Sequence, residues 1–353
     1  MDNRIKINKM KKLIITAVVA ALICGCASKN TYQISGTVPE EYKAAQIYLL
    51  SSNMEVLDSA AVVDGHFSLK GQAGDEVKDA FLLDNTDVNK VVFYGSIFIE
   101  AGKITVHPKE GAQLLEATGT KCNDARSAFS KKVNALDGDD EEGYYAAIKE
   151  SAEANTDNIF GLNQLYQGIL YGAISGEEAI GLLGQFPENL QACKTAKSIK
   201  TAAEGAIKTA IGKPYIDFSM ESIKDGETIS LKSVIENPAN KYVLLDFWAS
   251  WCGPCMGEVP SLLKAYTNYK SKGFEIFGCS LDSDGDSWKK AVSSNKMDWI
   301  HVSDLKYWNN AGADEYGVRS IPANYLIDCS NGTIVASNLR GSALEEQLAK
   351  LLD

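Results

Sequence analysis

Cys252-Gly253-Pro254-Cys255 is the stretch of this chain whose residue types and spacing point most directly to chemistry. It follows the apolar run Tyr242 to Phe247, broken only by Asp246, and precedes Val259, Leu262, Leu263 and Tyr266 at helical spacing. A buried parallel strand opening into a helix has this pattern. At the helix start Cys252 meets free N–H groups and the positive end of the helix dipole, which favour a thiolate. Pro254 falls in the first turn, where no N–H is needed, and Cys255 follows close enough to close a small disulfide. Such a pair can exchange electrons with another disulfide. A zinc site would need four ligands. There is no second Cys-x-x-Cys, and none of the three histidines lies near a cysteine in the sequence, so neither a metal nor a cofactor is expected.

Other residues are candidates to act on this pair. Asp246 sits beside Phe247 and Trp248 in the apolar strand. Buried there without a partner, its carboxyl should gain proton affinity and exchange a proton with Cys255. The alternative is a strand-end aspartate facing water. Glu258 falls in the first helical turn, where it compensates the dipole. Ile321-Pro322 precedes the apolar strand Asn324 to Ile327. A tertiary amide makes cis accessible there; a trans proline at a strand start is the other reading.

Trp251-Cys252-Gly253-Pro254-Cys255, with Pro260 in the following helix, resembles the active-site signature of the thioredoxin superfamily. The spacing of Cys252, Cys255, Glu258 and Pro260 is similar to that of the TlpA/ResA-like branch, the membrane-tethered extracytoplasmic thiol-disulfide reductases. The resemblance covers about residues 212 to 353. It implies an α/β thioredoxin fold there, with Cys252 attacking a substrate disulfide and Cys255 resolving the mixed disulfide. It also implies a buried catalytic carboxylate at Asp246, a thiol-tuning role for Glu258, and a cis-proline at Pro322 facing the disulfide. Trp251, Gly253, Pro254 and the backbone of Ile321 would contact substrate. Thioredoxins usually set a lysine against the carboxylate; here Gly278 takes that position.

The chain has 353 residues and a net charge of −11. A nucleic-acid partner is not expected, because phosphate binding needs a basic face. Residues 1–26 read as a lipoprotein signal peptide: lysines, then the apolar run Leu13 to Ile23, too short to span a bilayer. Ile23-Cys24-Gly25-Cys26 resembles a lipobox, which implies lipidation at Cys26; a plain secretory signal is the alternative. Either places the mature protein outside the cytoplasm, where disulfides persist. The expected location is the cell envelope, as a periplasm-facing lipoprotein held to the membrane by its lipid. Of eight cysteines, Cys122 and Cys193 could pair, and the sequence leaves that open. Cys279 falls in the strand Phe274 to Leu281 and Cys329 follows the strand Asn324 to Ile327; the thioredoxin order puts these strands on opposite sides of the Cys252 strand, too far apart to bridge.

Residues 27–121 read as a small antiparallel β-sandwich, with hairpins at Asp64-Gly65 and at Ala101-Gly102. They resemble an uncharacterised N-terminal β-domain of such lipoproteins. Residues 122–211 read as a helical linker or bundle. Ser175 and Glu178 form a capping box, and Pro187 starts a helix running to Ile211. Trp288, Trp299 and Trp308 lie in a stretch longer than in minimal thioredoxin, where core packing or a substrate surface would use them. The expected function is reduction of disulfides in extracytoplasmic proteins, with a membrane electron donor; apocytochrome c, mis-oxidised periplasmic proteins and surface enzymes are all open as substrates. A thiol-dependent peroxidase is one alternative, although the peroxiredoxin Pro-x-x-x-Thr-x-x-Cys motif is absent before Cys252. A binding lipoprotein whose β-domain holds a partner is the other.

Overall fold

The computed structural model describes residues 30–38, 44–74, 76–109, 113–138 and 140–353. Cys26 and the expected signal segment lie outside the described residues. The chain divides into two compact units, 1–128 and 129–353.

The strands of the first unit are β1 (Thr31–Thr37), β2 (Gln46–Ser51), β3 (Val56–Ala61), β4 (His66–Gln72), β5 (Lys78–Leu83), β6 (Tyr94–Ile99), β7 (Gly102–Pro108) and β8 (Leu115–Thr118). They form two sheets of order β4-β1-β7-β8 and β3-β2-β5-β6. Ile34, Leu69 and Ile104 of one sheet share a buried cluster with Ile47, Leu82 and Ile97 of the other. This is a two-layer sandwich. Its pairings are antiparallel except β1 with β7, which is parallel. Asp64 and Gly65 both take positive φ, as the hairpin turn requires. Only Val63 and His66 pair across it, however, and β3 and β4 then enter different sheets. The link from β6 to β7 likewise crosses between the layers and does not close a hairpin. Ile97, Ile99, Ile104 and Val106 all bury into one core, which face-to-face strands achieve and a flat two-stranded ribbon does not.

Helix α1 (Lys121–Asn134) spans the division between units. In the second unit follow α2 (Glu141–Ala154), α3 (Ile159–Leu170), α4 (Gly176–Leu183), the single turn α5 (Glu188–Gln191) and α6 (Lys194–Lys208). The apolar stripes of α3, α4 and α6 meet in one cluster containing Leu162, Leu165, Leu183, Ile199 and Ala203. The Ser175–Glu178 capping box is formed. Pro187 opens only α5, because Cys193 returns to extended backbone and starts α6 anew. These helices belong to the same compact unit as residues 212–353.

The remaining elements are β9 (Ser219–Ser222), β10 (Thr228–Ser230), α7 (Leu231–Ile235), β11 (Tyr242–Trp248), α8 (Gly253–Tyr269), β12 (Phe274–Ser280), α9 (Gly285–Ser294), β13 (Ile300–Ser303), α10 (Ala311–Glu315), β14 (Ala323–Asp328), β15 (Thr333–Ser337) and α11 (Ser342–Leu352). The sheet order is β10-β9-β13-β12-β11-β14-β15. β11 lies parallel to β12 and antiparallel to β14, and Val243 to Trp248 are all buried. A strand covered on both faces explains why its sequence is a continuous apolar run. β12 and β14 flank β11 on opposite sides, so the strands bearing Cys279 and leading to Cys329 are separated as the sequence suggested. Among the described residues no helix is long and apolar enough to cross a membrane.

Candidate functional site

The C-terminal end of β11 delivers the chain to α8 through Ala249, Ser250 and Trp251. Asp282, 1% exposed, fixes that turn. Its carboxylate accepts from the Ser250 N–H at 3.0 Å, from the Ser250 hydroxyl at 2.5 Å and from the Ser280 hydroxyl at 2.7 Å. Helix α8 starts at its cap, Cys252, whose Sγ accepts the Cys255 N–H at 3.1 Å. Pro254 occupies the first turn, and Val259, Leu262 and Ala265 anchor the helix in the core.

Cys252 and Cys255 are joined in a disulfide, with Cα atoms 5.3 Å apart. The Cys252 Sγ lies 3.7 Å from the Ile321 carbonyl oxygen. The Ile321–Pro322 peptide bond is cis. In the disulfide form both cysteines are buried, 5% and 4% exposed. Around them Trp251, Gly253 and Pro254 are exposed, and Ile321 and Pro322 are half-buried.

Asp246 is buried and burial pushes its carboxyl up to about 7; Glu258 adds to the rise and Arg340 opposes it. Asp246, Cys255, Glu258, Pro322 and Arg340 line one cavity of about 10 Å³. That is room for about one water, enough to carry a proton between carboxyl and thiol. Glu258 falls in the second turn of α8 and not the first as expected, because the helix already starts at Gly253; there it accepts the Gly341 N–H at 2.8 Å, which ties α8 to the start of α11.

Gly278 stands beside Asp246 in register, as the sequence order implied. The expected lysine position is filled from elsewhere: a Cβ on Gly278 would lie 2.9 Å from His301 Nδ1 and 3.2 Å from Trp248 Nε1. The compensating cation is Arg340, which donates to the Pro322 carbonyl at 2.5 Å and the Leu339 carbonyl at 3.0 Å. Buried Asn324, on β14 opposite Asp246, holds the Arg340 loop by bonding both the Leu339 carbonyl and its N–H. Neither Arg340 nor Asp282 carries a motif signal. Asp282 could have been flagged as a charge closing an apolar strand, whereas Arg340 has no local sign at all.

The tryptophans separate. Trp288 and Trp299 are buried, while half-buried Trp308 packs with Tyr307 against exposed Trp251, the ring centroids of Trp251 and Tyr307 being 5.0 Å apart. Burial holds the Cys279 thiol well above the usual range and pushes Cys329 up to about 11. Neither offers a thiolate near neutral pH. His301 is buried and its proton affinity is lowered to about 4 by that burial, so it is a neutral packing group.

The AhpC/TSA family matches residues 211–337, and a domain of unknown function, DUF4369, matches residues 32–125. The chain is 30% identical over 145 residues to thiol-disulfide oxidoreductase ResA of Bacillus thuringiensis subsp. konkukian, covering 41% of this chain and 78% of that protein. It is 33% identical over 141 residues to the ResA of Bacillus anthracis, covering 40% of this chain and 76% of the relative. Among solved structures, the thioredoxin domain of a thiol-disulfide oxidoreductase from Bacteroides vulgatus is 34% identical, with a TM-score of 0.37; it covers 41% of this chain and 99% of that one.

Proposed function

The chain belongs to the ResA-like thiol-disulfide oxidoreductases, and from that premise we propose that it is a membrane-anchored reductase of disulfides in extracytoplasmic proteins, working through Cys252 and Cys255. The observation that carries this reading is the Cys252–Cys255 disulfide at the start of α8, with Asp246 and Cys255 lining one cavity beneath it.

In the reduced protein the Cys252 thiolate attacks one sulfur of the substrate disulfide. A mixed disulfide forms, and the second substrate sulfur leaves as a thiolate that takes up a proton. Cys255 then gives its proton to Asp246 and attacks the Cys252 sulfur. This closes the Cys252–Cys255 disulfide and expels the first substrate cysteine as a thiolate, which takes up the proton held by Asp246. Two electrons pass to the substrate. Helix-terminal N–H groups, including that of Cys255 at 3.1 Å, stabilise the Cys252 thiolate. A carboxyl that titrates at about 7 both accepts and returns a proton near neutral pH. Ile321 offers its backbone beside the reacting sulfur.

Location belongs to the same proposal. An extracytoplasmic site with a lipid at Cys26 is supported by the lysines, apolar run and Ile-Cys-Gly-Cys of the first segment. A dithiol in an oxidising compartment must be recharged, which calls for a membrane electron donor. Cys26→Ser should move the protein from the membrane fraction to the soluble extracytoplasmic fraction while its activity on a soluble disulfide is kept. Continued sedimentation with membranes would show that another feature anchors it.

A further inference from the structure

The helices of the second unit reach the cis-proline loop. Ser320, next to Ile321, donates its hydroxyl to the Leu170 carbonyl at the end of α3, at 3.1 Å. Gly205 of α6 and Gly317 touch backbone to backbone: a Cβ on either would lie 2.6 Å from the other's Cα. No other residue type permits that approach, so the close docking is written into both glycines.

Between these helices and the loop lies a cleft of about 690 Å³. Ser320 and Ala323, which bracket Ile321–Pro322, line it, and so does Arg340, which also lines the cavity holding Asp246 and Cys255. Its helical wall carries Tyr145 and Tyr171. Their rings stack 6.4 Å apart, and Tyr144 meets Tyr171 edge-on at 6.3 Å. Tyr171 is 44% exposed even so.

We propose that this cleft docks the stretch of substrate polypeptide next to the target disulfide, so that the helical segment selects folded or extended protein chains over small disulfides. The inference rests on the reading of Cys252 and Cys255 as the exchange centre. Three observations choose a polypeptide as occupant. Ser320 and Ala323, on either side of Ile321–Pro322, line the cleft, so a chain extending from a cysteine docked at Ile321 reaches it. Tyrosine and arginine are the side chains that most often anchor protein interfaces. Charges of both signs line it, Glu141, Glu142 and Glu177 against Lys213, Arg319 and Arg340, which suits the mixed polarity of a polypeptide and not a simple ion.

The test compares two substrates, insulin and hydroxyethyl disulfide, for the full-length protein and two variants. Tyr171 ends its helix exposed, so truncating it leaves the core in place. Tyr171→Ala should raise KM for insulin about tenfold, the effect of losing one interface anchor, with the rate on hydroxyethyl disulfide unchanged. Tyr171→Phe, which keeps the ring, should behave as wild type on both. Unchanged insulin kinetics in Tyr171→Ala would overturn the proposal. Equal loss on both substrates would overturn it too, because the residue would then support the redox centre and not docking. A wild-type protein inert toward both disulfides would remove the exchange reading beneath it.

Discussion

Cys252→Ser should abolish disulfide reduction, and Cys255→Ser should stop it one step later with substrate bound. The two outcomes differ because the two sulfurs sit differently. Cys252 caps α8, accepts the Cys255 N–H and faces the Ile321 carbonyl. Cys255 lies in the cavity with Asp246 and Glu258. Once an incoming disulfide has been attacked, Cys255 alone among the described cysteines stands close enough to release it. The serine variant at Cys252 should therefore fall to the uncatalysed rate. The serine variant at Cys255 should accumulate mixed disulfides that run as high-mass bands on non-reducing gels and collapse on reduction. Reversed roles, with trapping by Cys252→Ser, would refute the assignment. In the reduced protein an alkylating reagent at limiting dose should mark Cys252 first.

Asp246→Asn should have two effects, in opposite directions. Resolution of the mixed disulfide should slow on the order of a hundredfold, the usual scale for losing a positioned proton acceptor. The pH dependence of resolution around neutrality, set by a carboxyl near 7, should vanish with it. Stability moves the other way. The native carboxyl titrates at about 7 and the unfolded one near 3.8, so between these values the native state binds more protons and stability falls as pH rises. The gap corresponds to roughly 4 kcal/mol, felt in full above the native value. At about pH 8 the asparagine variant should thus be the more stable protein, and at about pH 4 the two should converge. His301 has the contrary sign: its native proton affinity is lowered to about 4, so its contribution is present above its ordinary value of 6.5 and lost as pH falls through about 4. Comparing wild type with the variant at each pH cancels that contribution. Denaturant melts at the two pH values are the measurement. A variant less stable at the higher pH would mean that Asp246 is not buried as a strained charge.

What could be read from the sequence follows the range of the interactions involved. The strand, turn and helix around Cys252 were legible because every signal is local: an apolar run, a cap position, a proline in the first turn. Asp246 stood out as the one charge in its strand, and the strand order alone paired it with Gly278. Arg340 did not stand out, since it reaches Pro322 and the cavity that Asp246 lines only once Asn324 has folded the loop after β15. It softens the negative field of Asp246 and Glu258, and so tempers their effect on the thiols. In the first unit the alternation of Ile97, Ile99, Ile104 and Val106 reported burial correctly but not the layer. Strands facing each other across a sandwich have the same alternation as neighbours in one sheet.

The reduction potential of the Cys252–Cys255 pair tests the proposed direction of electron flow most directly. Gly253 and Pro254 place no cation between the sulfurs, and Glu258 and Asp246 put carboxyl groups beside Cys255. Both features disfavour the thiolate form and lower the potential, against the opposing charge of Arg340. Equilibration of the full-length protein with a dithiothreitol series, read by the fraction of free thiol, should give about −250 mV or lower, close to the range of reducing thioredoxins. A value near −120 mV, the range of dedicated oxidants, would mean that the protein introduces disulfides and would contradict the account.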